Sequence, residues 1–94
     1  MGFAVKQAGT FAAWHKGVKD MKARIAIGRR IERASHGNFG DSEPVGEGVS
    51  EMRVDVGAGY RVYYVVRGKK LVILLCGGDK RTQQSDIKKA RGDG

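Results

Sequence analysis

Glu51-Met-Arg-Val-Asp-Val56, Gly57-Ala-Gly59, Tyr60-Arg-Val-Tyr-Tyr-Val-Val-Arg67, Gly68-Lys-Lys70 and Leu71-Val-Ile-Leu-Leu-Cys76 follow one another without interruption. In the first run Glu51, Arg53 and Asp55 alternate with Met52, Val54 and Val56, the period of two that puts polar and apolar side chains on opposite faces of a strand. The Gly-Ala-Gly tripeptide supplies a hairpin turn. In the second run Tyr60, Val62, Tyr64 and Val66 share one face, and Arg61, Tyr63, Val65 and Arg67 share the other. Pairing Val56 with Tyr60 sets Val54 against Val62 and Met52 against Tyr64 on the core side. It also sets Asp55 against Arg61 and Arg53 against Tyr63 on the far side. The unbroken apolar run Leu71–Cys76 suits a central strand covered on both sides. Gly77-Gly78-Asp79-Lys80 is read as the turn that ends it. The whole stretch predicts a three-stranded antiparallel meander.

Upstream, Phe3 and Val5 alternate with Ala4 and Lys6 in a short strand over Gly2–Gln7. Thr10 offers an N-cap to a helix carrying Phe11, Trp14 and Val18 at spacings of three and four, and Gly17 weakens its end. Asp20 caps a second helix running to about Ser35, where Gly37-Asn38 stops it. Ala23, Ile27, Ile31 and Ala34 line one face of that helix. Met21 and Ile25 lie on another side, which predicts a helix touching two neighbours. From Gly37 to Gly48 the chain has four Gly, one Pro and no period, and it reads as an ordered loop. Thr82 can cap a last short helix to about Ala90, before Gly92-Asp93-Gly94 frays. The order predicts an α+β fold: an N-terminal strand, a helical hairpin, the meander and a short C-terminal helix. The helices are expected on one face of the sheet, with the other face partly open.

The chain has 94 residues, enough for one domain spanning residues 1–94. Its longest apolar run falls far short of the ~20 residues of a membrane-spanning helix, and the N-terminus has no signal-type segment. The expectation is a cytoplasmic protein. Cys76 is the single cysteine, so an internal disulfide is excluded. Eighteen Lys and Arg against ten Asp and Glu give a net charge of +8, a field that draws polyanions. The charge is uneven: residues 1–35 hold eight basic and two acidic side chains, 36–59 one and five, and 60–94 nine and three. An acidic protein partner would feel the same field as a nucleic acid.

Neither a Ser-His-Asp nor a Cys-His arrangement can be assembled, because His15 and His36 belong to the helices and Cys76 to the apolar strand. Asp41, Glu43 and Glu47 are spread through the Gly-rich loop and read as a solvated offset to nearby basic charge, so no metal or cofactor is expected. Gly46-Glu47-Gly48 and Gly77-Gly78 lack the context of a phosphate loop and read as turn glycines. What remains is Arg53, Arg61, Tyr63 and Arg67 on the hairpin, with Asp79 and Lys80 past the end of the next strand. Two readings stay open, and the pattern alone favours the first. Arg53 and Arg61 can pair across the strands with Glu51 and Asp55 for under ~1 kcal/mol each. Alternatively the cluster can bind a phosphodiester and stabilise charge on a pentacoordinate phosphorus while the RNA 2′-OH attacks. Arg24, Arg29, Arg30 and Arg33 on the second helix suit RNA phosphate contacts or a solvated face equally.

Four stretches carry a resemblance: Gly37-Asn-Phe-Gly-Asp41, Val45-Gly-Glu-Gly-Val-Ser-Glu-Met-Arg53, Gly59-Tyr-Arg-Val-Tyr-Tyr64 and Leu74-Leu-Cys-Gly-Gly-Asp-Lys80. In this order they resemble the addiction-module killer proteins of the RelE/ParE toxin superfamily, the HigB-like branch, from Phe3 to Ala90. The resemblance implies a microbial-ribonuclease-like α+β domain and a type II toxin neutralised by a small antitoxin, a helix-turn-helix protein encoded beside it. It further implies cleavage of messenger RNA without a metal, commonly on the ribosome, and so inhibition of translation. Arg61 matches the family's functional arginine on the middle strand of the meander, Lys80 or Arg81 its basic residue after the next strand, and Arg53 the strand before. A C-terminal tyrosine of RelE has no counterpart among Gln83–Asp86, and this sheet has none of the histidine that some HigB toxins use. The general base is therefore sought in Tyr63, Lys80 and Asp79, in that order. ParE-type members of the same superfamily poison DNA gyrase with no nuclease chemistry, which is the alternative function.

Overall fold

The computed structural model describes residues 2–92; the fraying expected of Asp93 and Gly94 lies outside the described residues. The elements are β1 (Ala4–Gln7), α1 (Gly9–Lys16), α2 (Met21–Ser35), β2 (Ser42–Gly46), β3 (Val49–Val54), β4 (Tyr60–Arg67), β5 (Leu71–Asp79) and α3 (Gln83–Arg91), with one turn of 3₁₀ helix, Lys80–Thr82, leading into α3. The strands form one sheet in the order β1-β5-β4-β3-β2. β1 runs parallel to β5, and every other pairing is antiparallel. Among the described residues no helix is long and apolar enough to cross a membrane.

α1 and α2 cover one face of the sheet. Phe11, Ile27, Met52, Val62, Val72 and Leu74 are fully buried there, each large aliphatic or aromatic side chain contributing ~1.5–3 kcal/mol by leaving water. Asp20 caps α2 as expected, accepting from the backbone N–H groups of Lys22 at 3.0 Å and Ala23 at 3.3 Å. α1 departs from expectation: it starts at Gly9, and Ala8 holds the N-cap position without a side-chain bond.

Four features correct the sequence reading. The Gly-rich loop contains β2, which pairs with β3 through the two-residue turn Glu47-Gly48, and both residues take positive φ (55° and 76°). That geometry is the mirror-image turn matched to strand twist, so the glycines that hid the strand are what allow the hairpin. The β3–β4 register is displaced by two residues: Val54 faces Tyr60, Met52 faces Val62, Arg53 faces Arg61 and Glu51 faces Tyr63. Asp55 and Val56 belong to the connection, where the Val56 N–H bonds the Val54 carbonyl at 2.9 Å and the Gly59 N–H bonds the Val56 carbonyl at 3.1 Å.

β5 runs on through Gly77 and Gly78 to Asp79, so these are strand glycines and not a turn. A Cβ at Gly77 would stand 2.3 Å from the Trp14 ring, and one at Gly78 1.8 Å from an Asp86 carboxylate oxygen. Glycine lets α1 and α3 close onto opposite faces of the strand at these points. Finally, α3 covers the second face of the sheet, which was expected to be partly open. Ile87 and Ala90 pack there with Val49, Tyr63 and Cys76.

Candidate functional site

β3 and β4 carry the site. Arg53 and Arg61 lie directly opposite one another across the two strands, an arrangement that would repel unless a counter-charge lay between them. Glu51, two residues before Arg53 on the same face, supplies it. Its carboxylate is fully buried and takes four partners: Arg53 at 3.1 Å, Arg61 Nε at 3.5 Å, the Tyr63 hydroxyl, which donates at 3.0 Å, and the Gln83 amide, which donates at 2.9 Å. A buried carboxylate is tolerated only when its charge is paired and its lone pairs are filled, and all of this is satisfied here.

Arg53 is the more open of the two arginines, with 30% of its side chain exposed against 11% for Arg61. It also reaches Asp41 at 3.1 Å and Glu43 at 2.7 Å. Hydrogen bonds donated to Asp41 first, then to Glu43, hold its guanidinium above its ordinary, already high pKa. The two loop acids read as an offset to basic charge are thus the Arg53 partners. Arg61 donates to the Gly59 carbonyl at 3.2 Å. The Lys80 methylenes lie against Gly59. A cleft of about 220 Å³ opens here, lined by Asp41, Arg53, Asp55, Tyr60, Arg61 and Lys80.

The structure therefore brings together Arg53, Arg61 and Lys80, and separates the other expected site residues from them. Tyr63 is a correction: it is fully buried under α3, with its hydroxyl on Glu51. Burial, and then the Glu51 charge, push its pKa well above the ordinary tyrosine value, so it is not placed to take a proton at the surface. Asp79 caps the 3₁₀ turn and accepts from the Arg81 N–H at 2.8 Å and its guanidinium at 3.0 Å. Those bonds hold its carboxyl below the usual range. Arg81 is 86% exposed, with its guanidinium on Asp79, and it does not line the cleft. Arg67 stands at the other end of β4, six residues from Arg61, and lines a separate shallow hollow with Val65 and Val66. Six residues of strand span roughly 20 Å.

On α2 the arginines divide. Arg30 is a strap: it donates to the backbone carbonyl of Arg53 and to that of Phe39 at 3.0 Å, and desolvation lowers its pKa. This use removes it from the RNA-contact set. Arg24 donates to the Lys16 carbonyl at 3.2 Å, tying α2 to the end of α1. Arg29 and Arg33 are exposed. Glu51, read in the sequence as a counter-charge to the two arginines, is that in the structure, and Gln83 is the site residue that sequence reasoning missed. Glu51 had a signal, since it shares the polar face of β3 with Arg53. Gln83 had none, because nothing in α3 announces that it closes over the second face.

A model of the family described as phage-derived protein Gp49-like matches residues 17–91. An uncharacterized protein of Haemophilus influenzae is 47% identical over 91 residues, covering 97% of this chain and 92% of that protein. Among solved structures, the E. coli toxin RelE in its free state, carrying two arginine-to-alanine substitutions, superposes with a TM-score of 0.76 over 99% of this chain and 97% of that one. At 11% identity this is a likeness of fold, and no residue role passes across it. With four fifths of its length matched by one family model and its α+β sheet arranged as in RelE, the chain belongs to the phage-derived Gp49-like family and has the RelE fold.

Proposed function

We propose that the chain is the toxin of a type II toxin–antitoxin module, acting in the cytoplasm to stop translation by cutting messenger RNA, and held in check by a small protein encoded beside it. Family and fold support the toxin role. The nuclease reading is carried by one observation: Arg53 and Arg61 face each other across β3 and β4 in a cleft that Lys80 also lines.

In the proposed reaction the RNA 2′-oxygen bonds to the adjacent phosphorus as its proton is lost to a base, the P–O5′ bond breaks, and the 5′-oxygen takes up a proton, which leaves a 2′,3′-cyclic phosphate and a 5′-hydroxyl. Arg61, held by Glu51 and the Gly59 carbonyl, is pre-oriented and loses little freedom when it meets the phosphate. Pre-oriented donors stabilise growing charge most. Arg53 gives up Asp41 and Glu43 to the incoming phosphate; both acids are more than half exposed and can return to water. With Tyr63 sealed and Asp79 held by Arg81, Lys80 is the one of the three expected proton-handling side chains that lines the cleft. A volume of about 220 Å³ is below the ~300 Å³ where small-molecule sites begin. The cleft grips a phosphate more readily than a whole nucleotide. That supports RNA presented by the ribosome over capture of free RNA.

A specific observation also favours the ParE-type alternative, inhibition of gyrase without nuclease chemistry. Arg53, Arg61 and Arg81 are all already paired with carboxylates in the free chain. Induction of the chain followed by mapping of new messenger 5′ ends separates the two. Cleavage within translated codons that disappears with Arg61→Ala, in a variant of unchanged melting temperature, supports the nuclease. Intact messages, with loss of supercoiling activity in a purified gyrase assay, would replace it with the alternative.

A further inference from the structure

A second cavity is larger than the arginine cleft. A groove of about 450 Å³ runs between α2 and the end of β3, with Lys22, Ile25, Arg29, Arg30 and Arg33 on the helix side and Val54, Val56 and a single carboxylate, Asp55, on the other. Among the described residues the expected second neighbour of α2 is missing, and Met21 and Ile25 are left 56% and 50% exposed. Lys22, Arg29 and Arg33 are exposed. Among the described residues none of the three has a carboxylate within ion-pair distance.

We propose that this groove docks an acidic amphipathic helix of the neutralising protein partner, its apolar side chains on Ile25 and Val56 and its carboxylates on Lys22, Arg29 and Arg33. Lys22, Ile25, Arg29 and Arg33 fall at helical spacings of three and four, so they form one stripe along α2. A second helix laid along that stripe meets a charge, an aliphatic side chain and two more charges in turn. An apolar stripe flanked by acids is the complement. RNA fits less well, because no aromatic ring lines the groove to stack a base. Phosphates also gain nothing from half-exposed aliphatic carbon, whereas a protein helix removes that carbon from water. The inference rests on the toxin–antitoxin reading for the existence of the partner and is independent of whether the arginine cleft cuts RNA.

The test uses the full chain and a synthetic helical peptide of about 18 residues, with leucines at spacings of three and four and glutamates flanking them, read by fluorescence anisotropy. Binding should weaken as salt rises. It should fall by roughly tenfold or more with Ile25→Glu and with Arg29→Glu/Arg33→Glu, and stay unchanged with Arg61→Ala. Melting temperatures verify that each variant folds. Equal binding by a scrambled peptide of the same charge, indifference to Ile25→Glu, or displacement of the peptide by an oligouridine would each overturn the proposal. Co-expression of the adjacent reading frame distinguishes the two readings. Growth rescue that survives both groove variants sinks the groove and leaves the toxin–antitoxin assignment intact. Absence of any rescue, with the peptide still bound to the groove, sinks that assignment and leaves the groove.

Discussion

Two cationic regions meet at the end of β3, and each is lined in part by Val54 and Asp55. In the sheet cleft Arg53 and Arg61 are answered by Glu51, and Arg53 again by Asp41 and Glu43. In the α2 groove Lys22, Arg29 and Arg33 have no such partner among the described residues. The difference separates two uses of positive charge. Paired and partly buried cations are oriented before any ligand arrives, and a ligand must compete for them. Unpaired cations on an exposed helix keep their field, which acts at a distance and fades with salt. Part of the net charge of +8 is thus felt by partners through the helix, whereas Arg53 and Arg61 sit where the charge is nearly cancelled.

The sharpest way to break this comparison is to remove the counter-charge. Glu51→Ala leaves Arg53 and Arg61 facing each other and strips Tyr63 and Gln83 of their acceptor. Removing one partner of a buried pair costs ~3–5 kcal/mol, so urea denaturation should show a large loss of stability; a loss near zero would mean that Glu51 does not hold the pair. Next, Arg61→Ala should lower the rate of messenger cleavage about 10²- to 10³-fold, measured at fixed toxin level with the melting temperature checked in parallel.

Third, Gly78→Ala drives a methyl into the Asp86 carboxylate and so lifts α3 from the second face. Overpacking of this kind costs ~1–3 kcal/mol, and amide exchange at Tyr63 should accelerate with it. Fourth, Arg29→Gln with Arg33→Gln should move the melting temperature by no more than roughly two degrees, because no intramolecular pair is lost. A larger drop would show that the groove cations do hold the fold. The smallest effect is expected from Asp79→Asn. The Arg81 bonds depress the folded-state pKa of Asp79. Its contribution to stability is therefore complete above the ordinary carboxylate pKa and is lost as pH falls through the depressed value. The parent chain should therefore exceed Asp79→Asn by a small margin at neutral pH, and the two stability curves should converge in acid as Asp79 is protonated; an offset that persists at all pH values would assign the residue a packing role.

The hairpin at the heart of the molecule was legible because alternation over Glu51–Val54 and Tyr60–Arg67 leaves one way to divide the faces. Its register was not, because sliding by two residues preserves every face while changing every partner. That slip turned the expected neighbours Arg53 and Tyr63 into Arg53 opposite Arg61. β2 was hidden by the glycines that make its hairpin turn, and the strand character of Gly77 and Gly78 by the absence of side chains. Tyr63 was assigned to the correct face, but that face is covered by α3. With Ile87 and Ala90 as its chief apolar contacts, α3 shows little pattern of its own from which its placement could be read.

Alternation, helical spacing and charge count are local properties, and from them the chain's own order of residues settled the α+β class, the Asp20-capped helix and the shared face of Arg53 and Arg61. Which charges cancel is decided by groups far apart in the chain: Asp41 with Arg53, Gln83 with Glu51, and α2 left without a neighbour at Ile25. Those distances exist only after the sheet has closed, because Coulomb and hydrogen-bond energies depend on separation in space and not on separation along the backbone.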